Sequence, residues 1–150
     1  SCTISRKSSG AAPIVVAGAG IVGASIAYHL ALRGESVTVI DRDGPAARAS
    51  RGTFAWINAS WAKQPRDYHA LSQRAVAGWH RLETTNDGAV DPVLATEMLL
   101  DAARALGARV KYPCALTDVV LAGGRLRAVD TSIGRLDATR LVLATGAAAD

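Results

Sequence analysis

Cysteine is nearly absent. Cys2 and Cys114 are the only two in 150 residues, which excludes a disulfide framework and any CxxC metal or redox pair. Aromatic residues are sparse too, at three Trp, three Tyr and one Phe. Apolar runs end after a few residues, far short of the roughly 20 that a membrane-spanning helix needs, so no transmembrane segment is expected. Long stretches of one charge sign are also missing. The formal charge is +4, yet the 14 arginines are scattered from Arg6 to Arg140 and no run of Lys or Arg exceeds two. A nucleic-acid binder gathers such charge on a face or stripe with stacking aromatics, so no nucleic-acid partner is expected. Repeats and low-complexity tracts are absent as well.

What is present suits one globular domain. Hydrophobic residues make up 49% and charged residues 20%, enough apolar material for a real core at this length. The opening "SCTISRKSSGAA" is Ser-rich and has no apolar h-region. Residues 1–12 therefore read as a flexible N-terminal arm and not a secretory signal, and a cytoplasmic location is expected.

Along the chain, Ile14 to Ala17 is a short apolar β-type run that stops at Gly18. Helical spacing follows through Ile21, Ala24, Ala27, Tyr28 and Ala31, and Gly34 supplies a stop. Ser36 to Ile40 is a second β-branched run, closed by Asp41. Strand, glycine turn, helix and strand within about 30 residues make a βαβ unit. Residues 44–63 read as turn-like. Arg66 to Glu83 is a helix with Tyr68, Leu71, Ala75, Trp79 and Leu82 along one stripe, expected to face the core. After a polar bridge, Asp91 and Pro92 start another helix as N-cap and first residue. Its apolar face is expected at Leu94, Met98, Ala102 and Leu106. A strand at Arg109 to Tyr112 follows. Next comes an antiparallel meander through Val119 and Leu121, a primed turn at Gly123-Gly124, Leu126 and Ala128, and a strand near Leu136. Leu141 to Ala144 reads as a buried parallel strand running into Thr145-Gly146.

Gly18-x-Gly20-x-x-Gly23 has dinucleotide spacing. Gly18 permits a tight turn off the strand, Gly20 lets the backbone approach a pyrophosphate, and Gly23 allows close helix packing. The first helical amides and the macrodipole would face the phosphates. Asp41 stands about 20 residues on, at the end of the second strand, where a carboxylate accepts hydrogen bonds from ribose hydroxyls. Glycines and an acid serve NAD and FAD alike. An NAD domain normally continues with further βαβ units, whereas this chain turns to an antiparallel meander, the order expected of an FAD domain.

The stretches "VVAGAGIVGASIAYHLALRGESVTVIDRD", "ARASRGTFAWINAS", "VDPVLATEMLLDAARALGARV" and "RLVLATGAAAD" resemble the FAD-dependent amino-acid and amine oxidoreductases, the superfamily of D-amino-acid, glycine and sarcosine oxidases. The resemblance runs from Pro13 almost to the end. It implies an α/β fold: a Rossmann-like FAD-binding domain (13–150) with a parallel sheet, helices and an antiparallel β-meander. It also implies FAD held by Gly18, Ala19, Gly20, Ile21, Val22 and Gly23, with Asp41 on the ribose and Arg42 near the adenine or phosphates. Ala49, Ser50, Arg51 and Gly52 would pass the pyrophosphate towards the flavin. The strand from Leu116 to Val119 would flank the adenine, and Ala144, Thr145 and Gly146 would close over the dinucleotide. Arg48 and Arg51 are suited to phosphate charge or to plain solvation. Phe54 and Trp56 suit either the flavin ring or buried packing.

The same resemblance implies oxidation of the C–N bond of a small amine or amino-acid substrate by hydride transfer to flavin, with oxygen or a respiratory chain as electron acceptor. Relatives of this kind carry a second substrate domain, partly inserted where residues 84–91 form a short bridge here. With that domain largely absent, the Arg, Tyr and His groups that hold substrate in the family have no counterparts to name. His29, His69 and His80 have no partner at catalytic or metal-ligand spacing, so no catalytic residue and no metal site is expected. The alternatives are an NAD-dependent dehydrogenase domain and a non-catalytic dinucleotide-binding remnant.

Overall fold

A computed structural model describes residues 12–57, 65–80 and 88–147. Residues 1–11 of the expected N-terminal arm and 84–87 of the 84–91 bridge lie outside them. Four strands form one parallel sheet in the order β5-β2-β1-β9, from β1 (Ile14–Ala17), β2 (Val37–Ile40), β5 (Arg109–Lys111) and β9 (Arg140–Leu143). Every residue of β1 and β2 is buried, as expected of central parallel strands covered on both faces. Helices α1 (Ile21–Leu32) and α3 (Pro92–Ala105) lie against one face. Val16, Val37 and Val39 meet Ala24, Ala27, Ala31, Leu100 and Ala103 there.

The opposite face carries the meander β6 (Leu116–Ala122), β7 (Arg125–Thr131) and β8 (Gly134–Asp137). Val15, Ala17 and Ile40 pack there with Val129 and Ala138. Alternate residues of β1 therefore serve two cores, which follows from the two-residue period of a strand. The turn at Gly123-Gly124 has φ of 59° and 72°, the primed geometry that needs glycine.

Local signals set the helix ends. Asp91 caps α3 by accepting from the N–H groups of Val93 and Leu94, both at 2.9 Å, with Pro92 in the first turn. The N–H of Gly34 reaches the Ala31 carbonyl at 2.9 Å where α1 stops.

Several expectations need correction. Leu94 and Met98 are 55% and 62% exposed, and α3 instead buries Thr96, Leu100 and Ala103. The helix is apolar on two sides, and α1 presents alanines, so the smaller side is the one that fits. Thr96 becomes apolar enough to bury by giving its hydroxyl to the Pro92 carbonyl at 2.7 Å. Tyr68 and Leu71 on α2 (Arg66–His80) are about half exposed, so the described part of that stripe does not face a core. Leu143 is 64% exposed because β9 is an edge strand in this sheet. Residues 44–63 are not all turn, since β3 (Trp56–Ile57) pairs antiparallel with β4 (Gly88–Ala89). Among the described residues, no helix is long and apolar enough to cross a membrane.

Leu100 is fully buried between α3 and α1. Leu100→Ala is expected to cost about 3 kcal/mol of stability, read as a lowered midpoint in denaturant. A Leu94→Ala control on the exposed side should cost under about 1 kcal/mol.

Candidate dinucleotide site

The site sits where β1, β2 and β9 end. Ala17 is the last residue of β1, and its carbonyl accepts the Ala144 N–H at 2.8 Å, while the Gly18 N–H reaches the Ile40 carbonyl at 2.8 Å. The chain must then turn at once into α1. At Gly18 (φ +115°) a Cβ would fall on the Ala144 carbonyl, and at Gly23 it would fall on the Gly18 carbonyl. Both clashes involve backbone, which cannot swing aside. Gly20 differs: a Cβ there would meet only the Ser50 hydroxyl at 3.0 Å. Gly18 and Gly23 thus serve the fold, and Gly20 leaves room above the loop.

Asp41 holds the loop from β2. Its Oδ2 accepts the Ala19 N–H at 2.8 Å, and its Oδ1 accepts the N–H groups of Asp43 and Gly44, each at 2.8 Å. Three of the roughly four acceptor positions of a carboxylate are used, which leaves one on Oδ2. The Ala46 N–H closes the clasp on the Ala19 carbonyl at 3.0 Å. The Cys114 N–H reaches the Asp41 carbonyl at 2.7 Å, tying the start of the meander to the same corner.

Ser50 reaches in from the turn that follows. It is buried, and its Oγ accepts the Ile21 N–H at 2.9 Å. Gly20 itself offers no side chain to cap α1, so Ser50 supplies the cap from 29 residues away. Among the described residues, the N–H groups of Gly20, Val22 and Gly23 make no hydrogen bond. Val22 is 61% exposed, so this helix end is open. Unpaired amides at the positive end of a helix form an anion site.

The other expected residues are spread around this centre. Arg42 is exposed and stands 3.8 Å from Asp43. Arg48 donates to the same carboxylate at 2.7 Å, whereas Ala49, Arg51 and Gly52 are exposed on the turn. Ala144 and Thr145 lie against Gly18, with Gly146 beyond them. Val119 lies further along β6, paired with Val129 and partly exposed, and no hydrogen bond joins it to the loop. Phe54 and Trp56 are 79% and 53% exposed, ring against ring edge at 6.5 Å, so buried packing is not their role. His29 is exposed beside Tyr28, and no group of His, Cys, Asp or Glu among the described residues is arranged to hold a metal ion. Sequence reasoning missed Asp43, Gly44 and Ala46; the "DRDG" run, a turn-forming composition, is the signal that marks them.

A family model described as "FAD dependent oxidoreductase" matches residues 13–86 and 82–150. The chain belongs to this family. A curated relative, the uncharacterized oxidoreductase YurR of Bacillus subtilis strain 168, is 43% identical over 68 residues, which is 45% of this chain and 15% of that protein. Among solved structures, glycine oxidase from Bacillus cereus matches with TM-score 0.79 at 15% identity, over 88% of this chain and 54% of that one. L-proline dehydrogenase from P. horikoshii gives 0.80 at 20%, over 90% and 53%. L-amino acid deaminase from Proteus vulgaris gives 0.80 at 19%, over 89% and 47%. The chain therefore spans about half the length of these structures. The likenesses establish the fold: a Rossmann-like parallel sheet with helices and an antiparallel meander.

The packing separates the glycines by role. Gly23→Ala is expected to lower stability by about 3 kcal/mol, because its methyl meets a carbonyl that cannot yield. Gly20→Ala should cost under about 1 kcal/mol, beyond ordinary propensity only the Ser50 hydroxyl being in its way. Chemical denaturation of both variants checks the order, and equal losses would contradict it.

Proposed function

We propose that residues 13–150 form the FAD-binding part of an oxidoreductase that oxidises the C–N bond of an amino acid or amine. The family match over 13–150 carries this reading. The loop fits the cofactor: its backbone is fixed by Asp41 and Ser50, the Val22 and Gly23 amides are unpaired with Val22 exposed, and Gly20 is clear. Bound there, FAD supplies an acceptor for the hydride leaving the carbon that bears the amine, with oxygen or a respiratory chain taking the electrons onward. The names of the three structural neighbours each specify an amino acid, which supports that substrate class.

The protein's own part in this reading is to bind and orient. The amides of Val22 and Gly23 and the dipole of α1 hold the pyrophosphate. Ser50 already accepts from Ile21, so its own hydrogen is left to donate to a phosphate oxygen. Asp41 offers its remaining acceptor position to a ribose hydroxyl, and its charge repels a 2′-phosphate. Arg42 and Arg51 bring positive charge to the rim. Ala49 and Gly52 carry the chain past the pyrophosphate, Val119 stands on the strand that flanks the adenine, and Ala144, Thr145 and Gly146 close the opposite side. The exposed Phe54 and Trp56, four and six residues after Ser50, suit the flavin ring. An antiparallel meander between β2 and β9, in place of repeated βαβ units, favours FAD over NAD.

A visible absorbance scan of the purified chain, with the released cofactor identified after denaturation, tests the reading. Flavin absorbance and released FAD are expected, and Gly20→Val, which fills the space above the loop, should lose the flavin while staying folded. A chain that remains colourless with added FAD but binds NAD would overturn the assignment, as would full flavin occupancy in Gly20→Val.

A further inference from the structure

A cleft of about 480 Å³ opens between the parallel sheet and the meander. It exists because the meander covers only part of the sheet: the core beneath it uses β1 and the end of β2, and nothing from β5. Val110 packs with the helices, so alternation turns Arg109 and Lys111 to the meander side. Both line the cleft, together with Ser36 and Thr38 below and Arg135 and Asp137 on β8.

The charges there do not cancel. Arg109 gives its Nε–H to the Thr38 hydroxyl at 3.3 Å. Neither Arg109 nor Lys111 has an acidic partner within 4.0 Å among the described residues. Arg135 is committed elsewhere, with two hydrogen bonds of 2.7 and 2.9 Å to Asp130, whose carboxyl it holds below the usual range. That leaves two free cations against the single carboxylate of Asp137. Two residues apart on one strand, the cations stand about 7 Å from each other at their Cα atoms. Ser36 precedes β2 and Thr38 lies within it, so the cleft runs along β5 from Arg109, which pairs with Thr38, to Lys111, which pairs with Ile40 and whose carbonyl accepts the Asp41 N–H at 3.1 Å; no residue of the glycine loop lines it.

We propose that this cleft is a second ligand site, sharing no residue with the glycine loop, for a small dianion bearing phosphate or carboxylate groups. The free N–H groups of Arg109, the Lys111 ammonium and the Ser36 hydroxyl are its donors, and a guanidinium fork matches either anion. Asp137 limits the charge the cleft accepts, and its size limits the ligand to a small molecule, which disfavours nucleic acid.

Titration of the ¹⁵N-labelled chain with inorganic phosphate, and separately with succinate, tests the site. Saturable amide shifts are expected at 109–111 and 135–137 with at least one probe, and the probe that binds more tightly identifies the anion. An Arg109→Gln/Lys111→Gln variant with an otherwise unchanged spectrum should bind about tenfold more weakly. Asp137→Asn, which keeps both cations, should bind several-fold more tightly. Absence of saturation with both probes, shifts confined to residues 18–23, equal affinity in the double variant or no gain in Asp137→Asn would each overturn the proposal.

Discussion

Two missing side chains hold the architecture together. With only hydrogen at Gly18 and Gly23, the start of α1 rests on the loop and the loop rests on the Ala144 carbonyl. This contact brings the ends of β1 and β9 and the first turn of a helix to one point. Remove it and α1 must lift, the alanine seam with α3 opens, and the free amides of Val22 and Gly23 no longer converge. Fold and site depend on the same few atoms, so the loop offers little room for sequence change.

Asp41 and Ser50 finish what the glycines begin. A carboxylate at the end of β2 gathers amides from two separate loops, and a hydroxyl from 29 residues away caps a helix that has no cap of its own. Bonds to a charged acceptor are stronger than neutral ones, so the loop is rigid before any ligand arrives. Preorganisation of this kind lowers the ordering cost of binding. Asp41 therefore has two duties, holding the loop and offering one remaining acceptor, and a substitution there affects both.

The parts of this structure legible in the sequence are those set by local chemistry. The βαβ unit, the Asp91-Pro92 helix start and the paired-glycine turn each need a special backbone geometry or a terminal hydrogen bond that few residues supply. The helix faces were harder to read. α3 is apolar on two sides, so periodicity alone chose Leu94 and Met98, while packing against the alanines of α1 chose Leu100 and Ala103. Tertiary fit decided, as it does wherever two faces compete. At the site, the glycine spacing and Asp41 were visible because their geometry is stereotyped. The Asp41–Gly44 turn is local and marked only by its turn-forming composition, whereas the Ala46 bond to Ala19 and the Ser50 cap depend on long-range placement and have no spacing signature.

The central claim is that the open amides of α1 are a pyrophosphate site. The most direct test follows backbone amide resonances as FAD is added to the chain. Large shifts at Gly20, Val22 and Gly23 are expected, with the Ala19 amide, already bound to Asp41, moving little. If FAD binds and those three amides stay in place while other regions shift, the cofactor lies elsewhere and the account is wrong.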